Sequence, residues 1–238
     1  MTRSLWLHGF LGAPSAFSAL GARASDVSVP TLGGHGLPAA PVPRGFHAEL
    51  SRLGELLGQH DGWQLVGYSL GARLALGLAL AQPARFARLV LVGVHPGLDT
   101  EAARRERVLL DDSRARALEQ RGLEAFVAEW ETLPLLATQR ALPAEVRARH
   151  RAMRTAHDAH AIAGALVALG LGRMPSLWSG LSQLQLPVTF VVGELDEKFV
   201  ALARRGASLA PRAELVIVPG VGHDVILERP RAVAEVLA

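Results

Sequence analysis

Short apolar runs alternate along this chain with longer stretches in which apolar residues recur every three or four positions. The runs are Leu5-Trp6-Leu7, Val27-Ser28-Val29, Trp63-Gln64-Leu65-Val66, residues 89–94, residues 188–192 and Leu215-Val216-Ile217-Val218. Continuous or β-branched runs of that length read as strands buried on both faces, as in a parallel sheet. The helical spacing predicts helices over residues 16–24, 46–57, 72–81, 199–209 and 231–237. Strands alternating with helices imply a parallel sheet covered on both sides, an α/β fold. From 101 to 176 the pattern changes to charged helical segments, over 101–120, 123–131 and 143–169, the last broken near Gly164. We therefore expect a core of residues 1–100 and 177–238 with a helical cap, 101–176, inserted between two of its strands. No internal repeat is present.

Composition narrows this picture. The 238 residues are half hydrophobic, enough for one domain of generous size with an insertion. The absence of cysteine excludes disulfides, thiolate metal sites and a cysteine nucleophile. The formal charge is only +3, and Lys198 is the single lysine. Residues 101–175 hold 12 Arg against 10 Asp and Glu, with no dense basic run interleaved with aromatics. Nucleic acid is thus not an expected partner, and the composition leaves small anionic ligands open. Residues 1–4 run directly into the first apolar stretch, and no apolar stretch is long enough to span a bilayer. A cytoplasmic protein without membrane insertion, a monomer or weak homo-oligomer, is the expectation. Gly33-Gly34-His35-Gly36 lacks the Lys-Ser/Thr of a phosphate-cradling loop and reads as a turn at the pocket edge. We expect no cofactor and no metal. His47, His60, His150, His157 and His160 are read as surface residues.

Chemistry concentrates around Gly67-Tyr68-Ser69-Leu70-Gly71, which leaves an apolar run and opens an Ala/Leu-rich helix. Strand, Gly-x-Ser-x-Gly, helix is the context of a nucleophile elbow, with the serine at the tip of a sharp turn. Serine needs a base to take its proton and a third group to orient that base. Asp196 and His223 each follow an apolar run, and the order Ser69, Asp196, His223 is that of a hydrolase-type triad. The minor alternative makes Asp196 the cap of the helix after it and leaves Glu194 or Glu197, or more remotely Asp99, to orient the base. The strand exit His8-Gly9-Phe10 places the Phe10 N–H, with that of Leu70, as an oxyanion hole. His8 itself is read as structural.

These residues resemble the α/β-hydrolase superfamily over nearly the whole chain. A narrower resemblance lies in residues 67–73, in His95-Pro96-Gly97-Leu98 and in residues 193–199, Gly-Glu-Leu-Asp-Glu-Lys-Phe. These are similar to the 2-succinyl-6-hydroxy-2,4-cyclohexadiene-1-carboxylate synthases of menaquinone biosynthesis. The resemblance implies a lyase that eliminates pyruvate from a succinyl-enolpyruvyl-hydroxycyclohexene carboxylate, and it implies that Tyr68, Arg73, Arg107, Trp130 and Arg154 contact the substrate. The resemblance also implies a substrate with several carboxylates, and planar guanidinium groups suit carboxylates because they bind them bidentately. The chain departs from the family pattern at Ala72 (usually glycine), at Met174 (usually glutamine), before Gly34-His35-Gly36 and after His223. A serine hydrolase acting on a carboxylated ester, enol lactone or carbon–carbon bond uses the same triad and is the alternative activity. A binding module without catalysis is the third reading.

Overall fold

The computed structural model describes residues 3–21 and 26–238. Six strands form one parallel sheet: β1 (Ser4–Leu7), β2 (Val27–Ser28), β3 (Trp63–Tyr68), β4 (Phe86–Val92), β5 (Val188–Gly193) and β6 (Ala213–Val218), in spatial order β2-β1-β3-β4-β5-β6. Alternation sorts even these buried strands into two faces. Leu5 and Leu7, Leu65, Leu89 and Leu91, and Phe190 and Val192 point to one side. There they meet α1 (Phe46–Glu55), α2 (Leu70–Ala81) and, across Phe199 and Ala203, α6 (Glu197–Leu209). Trp6, Val66, Val90, Val92 and Val191 point the other way, against a 3-10 turn (Pro14–Leu20), α7 (Val225–Glu228) and α8 (Pro230–Leu237).

Between β4 and β5 the chain forms α3 (Glu101–Trp130), a 3-10 segment (Pro134–Ala141), α4 (Ala144–Thr155) and α5 (Ala159–Leu169). Leu118, Phe126 and Val127 of α3 join Ile162 and Leu166 of α5 in a third apolar cluster, which also takes in Leu11 from the loop after β1. Thr100 caps α3 by accepting a hydrogen bond from Ala103 N at 3.2 Å, and α3 is kinked at Gly122, whose φ is +80°. The two helices expected at 101–120 and 123–131 are the two arms of that kink. The break expected near Gly164 lies elsewhere: Gly164 is inside α5, and the interruption falls at residues 156–158, where Asp158 caps α5 by accepting from Ala161 N at 2.8 Å. A cap residue with a side-chain acceptor is the stronger boundary signal, because glycine within a helix costs only about 1 kcal/mol. The helix expected over 16–24 is the shorter 3-10 turn, and positions 22–24 lie outside the described residues. No helix among the described residues is long and apolar enough to cross a membrane.

The turn between β3 and α2 fits only because glycine lines it. A Cβ on Gly71 would overlap the carbonyl oxygen of Leu7, and one on Gly67 would overlap Gly71 O and the Ala72 backbone. Both obstacles are main chain and cannot swing aside. Gly71→Ala is therefore expected to cost about 3 kcal/mol and to lower the melting temperature by about 6–12 °C. Thermal unfolding followed by circular dichroism checks this, and an unchanged melting temperature would show that the turn has slack the packing denies it.

Candidate active site

Parallel strands deliver the loops after β1, β3, β4, β5 and β6 to one edge of the sheet, and the site is assembled there. Ser69 occupies φ 51° and ψ −106°, a backbone region that non-glycine residues avoid. The turn is fixed on both sides, Ser69 N donating to Val92 O at 2.9 Å and Arg73 N to Ser69 O at 3.1 Å. Ser69 stands at the N-cap position of α2, yet its hydroxyl makes no capping bond. It lies instead 3.0 Å from His223 Nε2. His223 Nδ1 is 2.7 Å from Asp196 Oδ2; a carboxylate accepts, so Nδ1 carries the proton and Nε2 is left to accept from the serine. Phe199 stacks obliquely on the imidazole at 4.4 Å. A Cβ on Gly93, where φ is +61°, would stand 2.9 Å from His223 Cε1.

The two readings of Asp196 turn out to be compatible, since its oxygens divide the work. Oδ2 faces His223 while Oδ1 accepts from Phe199 N at 3.4 Å and caps α6. The competing carboxylates are engaged elsewhere: Glu194 accepts from Gly220 N at 3.0 Å, and Asp99 pairs with Arg205 at 2.8 and 2.9 Å. Glu197 lines the cavity, and among the described residues no hydrogen bond or ion pair joins it to His223.

Ser69 opens into a cavity of about 570 Å³ that Phe10, Leu70, Arg73, Arg107 and Trp130 also line. Leu70 is the first residue of α2, so its N–H has no intrahelical acceptor. Arg73 is deeply enclosed, with part of its surface open to the cavity. Its Nη1 donates to Leu169 O at 2.9 Å and meets Met174 Sδ at 3.5 Å; among the described residues it has no carboxylate within ion-pair distance. Burial, and then the neighbouring charge of Arg107, lower its guanidinium to about 9. Met174, standing where the resemblance expects glutamine, offers this cation only a sulfur. Arg107 donates through Nε to Asp111 Oδ1 at 2.8 Å.

Arg154 is placed differently. It borders a small alcove of about 50 Å³ on the other side of Ser69, with Tyr68, Trp130, His223 and Asp224. Its guanidinium is buried and donates to Glu131 Oε1 at 2.9 Å and Gln139 Oε1 at 2.8 Å. Burial and the charge of Asp224 push the Tyr68 phenol well above 10.

Several lining residues escaped the sequence reading. His95 borders the main cavity, its Nδ1 accepting from Gly97 N at 3.2 Å, and burial followed by the charge of Lys198 lowers it to about 4. Lys198 and Arg114 also line the cavity. The signal for Arg114 was present, seven residues after Arg107 and hence on the same helix face, but it was hidden among 12 arginines.

Of the five histidines expected at the surface, His47, His60 and His160 are exposed and two are not. His157 is buried, and His150 is largely withdrawn from solvent. With His8 and His35, His157 braces the loop after β1. Leu11 has a positive φ of 59°, held by its N–H donating to His35 Nε2 and its carbonyl accepting from His157 Nε2, both at 3.2 Å. His8 bonds in the same way, Nδ1 donating to Gly9 O at 2.9 Å and Nε2 accepting from Leu32 N at 3.1 Å. Each ring uses one nitrogen as donor and one as acceptor, an arrangement open only to neutral imidazole. His35 is thus part of a brace as well as of a turn.

The chain belongs to the alpha/beta hydrolase family, which it matches over residues 5–236. It is 36% identical over 241 residues to a Bacillus subtilis (strain 168) protein provisionally named 2-succinyl-6-hydroxy-2,4-cyclohexadiene-1-carboxylate synthase, covering 98% of this chain and 87% of that protein. It is 32% identical over 238 residues to the synthase of that name from Enterobacter sp. (strain 638), covering 98% and 89%. The solved structure of MenH from S. aureus superposes with a TM-score of 0.94 at 32% identity, covering 99% of this chain and 91% of that one. Within the hydrolase family, then, the chain belongs with the 2-succinyl-6-hydroxy-2,4-cyclohexadiene-1-carboxylate synthases.

The neutral histidines give a pH dependence. Burial holds His8, His95 and His150 near 4 in the folded chain, against an ordinary value of 6.5. Below 6.5 the unfolded chain binds protons that the folded chain refuses, so stability is full above that pH and falls as pH drops towards 4. The urea midpoint is expected to decline steadily from pH 6.5 to 4.5. A midpoint flat across that range would mean that these rings are charged in the fold.

Proposed function

We propose that the protein eliminates pyruvate from 2-succinyl-5-enolpyruvyl-6-hydroxy-3-cyclohexene-1-carboxylate, giving 2-succinyl-6-hydroxy-2,4-cyclohexadiene-1-carboxylate. The observation that carries the reading is the hydrogen-bonded series Ser69–His223–Asp196 opening onto a cavity with an unpaired arginine, in a chain similar to such synthases over nearly its full length. Residues 1–100 and 177–238 would form the core, and 101–176 a cap supplying one wall of the cavity.

The names of substrate and product define the electron flow. The ring proton at C2, next to the succinyl carbonyl, passes to the Ser69–His223 pair and rests on Nε2, with Asp196 stabilising the imidazolium. The C2–H electrons form the C2–C3 double bond, the former C3–C4 pair becomes C4–C5, and the C5–O bond breaks. The enolate of pyruvate leaves and takes up a proton. While C2 loses its proton, charge accumulates on the succinyl oxygen, and the N–H groups of Phe10 and Leu70 are the donors assigned to it; one such donor is commonly worth about 3–4 kcal/mol. Arg73 and Arg107 bind carboxylate, with Tyr68, Trp130 and Arg154 on the alcove side. No cofactor is required, because the step is a proton transfer coupled to departure of an enolate.

The test is pyruvate release from freshly generated substrate, corrected for spontaneous breakdown. Ser69→Ala is expected to reduce release to background. Hydrolysis of p-nitrophenyl esters without pyruvate release would replace the lyase by a hydrolase. Arg73→Ala is expected to lower kcat/KM by roughly 10–100-fold, chiefly through KM; an unchanged value would remove Arg73 from the substrate's carboxylate contacts.

A further inference from the structure

The face of α3 that borders the cavity carries Arg107, Asp111 and Arg114 at positions i, i+4 and i+7, so all three lie along one side of the helix. Asp111 is buried, with 1% of its side chain exposed. Its Oδ1 holds Arg107, and its Oδ2 has no hydrogen-bond partner among the described residues. Nothing larger than glycine fits beside that oxygen at position 170, where a Cβ would stand 2.6 Å from it. Arg73 reaches the same cavity from α2. Asp111 thus pairs with Arg107 alone, while Arg73 and Arg114 line the same cavity with no carboxylate within ion-pair distance among the described residues.

Arg114 differs from its neighbours. No carboxylate lies within ion-pair distance of it among the described residues, yet it is half-withdrawn from solvent, and burial followed by the charge of Arg107 pulls its pKa down. Its Cζ sits 5.6 Å from the centre of the Trp130 ring, within cation–π range, and the aromatic face gives the fork a fixed seat. Trp130 in turn packs on Phe126 at 5.7 Å and on Phe10, the residue beside Ser69, at 5.2 Å. An arginine held against an aromatic wall, half-desolvated and without a counter-ion, needs an anion to complete it.

Charge bookkeeping sets what that anion must be. Arg107 is paired with Asp111, and Arg73 and Arg114 have no carboxylate within ion-pair distance among the described residues, so two guanidinium groups on this cavity are open to a ligand. A ligand presenting one carboxylate here would leave one of them unmatched. We propose that Arg114 is a specificity-determining residue that binds a second carboxylate of the substrate, distinct from the one bound at Arg73, and so selects polycarboxylate over monocarboxylate ligands. This deepens the lyase reading and rests on it for the identity of the substrate, while the selection itself depends only on charge number.

Two measurements separate the claims. The first is the steady-state kinetics of pyruvate release by the wild type, Arg114→Gln and Arg114→Lys. The second is calorimetric titration of the same proteins with propane-1,2,3-tricarboxylate and with butyrate. Arg114→Gln keeps the side-chain stem against Trp130; it is expected to raise KM about tenfold with kcat changed less than about twofold, and to weaken the tricarboxylate about tenfold while leaving butyrate unchanged. Arg114→Lys retains the charge without the bidentate fork and should fall between the two; it also serves as the variant of record if Arg114→Gln melts early. Unchanged KM and unchanged tricarboxylate affinity overturn the proposal, as does an equal loss for tricarboxylate and butyrate. If the wild type releases no pyruvate, the lyase reading fails, and selectivity for the tricarboxylate that Arg114→Gln removes still establishes the role of Arg114.

Discussion

The close approach of Gly71 to the Leu7 carbonyl is the constraint from which the site is built. It lets α2 start directly over the end of β1, which forces Ser69 into a left-handed backbone and leaves its hydroxyl free of capping duty. The same approach brings Leu70 N, at the head of α2, beside the loop that carries Phe10. A serine set on a relaxed helix start would bond to its own backbone, as N-cap serines do. Strain at one residue is thus balanced by main-chain packing that has no alternative arrangement, and the imidazole of His223 finds an oxygen with no other partner.

The second organising feature is an imbalance of charge. Three guanidinium groups on one cavity, of which Arg107 alone is ion-paired among the described residues, would be unfavourable were the cavity dry, because isolated charges resist removal from water. Part of the cost is reduced by the cavity itself, which keeps one side of Arg73 open, and part by the Trp130 face against Arg114. Arg73 and Arg114 thereby differ from Arg154, whose charge is already met by Glu131 and hydrogen-bonded by Gln139.

Much of this was legible in the sequence because it rests on local rules. Strands announced themselves as short apolar runs, several of them β-branched, and the elbow as two glycines around a serine. The placement of Asp196 and His223 followed from chain order and strand ends. What the sequence did not disclose depends on contacts between distant segments. The burial of His157 is set by Leu11 and Gly36, more than 120 residues away. The engagement of Arg154 by Glu131 and Gln139 needs the fold of three successive helical segments. The boundary between α4 and α5 was misplaced because glycine weighed more than an Asp cap in the reading, whereas Asp158 and its bond to Ala161 decide it. Arg114 was overlooked because a charged residue on a helix is ordinarily a solvated one, and only the facing Trp130 shows otherwise.

The bond from His157 to the Leu11 carbonyl has a mechanical consequence. It ties the corner between α4 and α5 to the strand loop that presents Phe10, so these two parts must travel together. A gate swinging at that corner would release Leu11 from its positive φ and shift the backbone of Phe10 next to it. Leu110 of α3 and Leu195 after β5, which stand exposed at the cavity edge, lie outside that tie, so an opening there would leave the loop after β1 undisturbed.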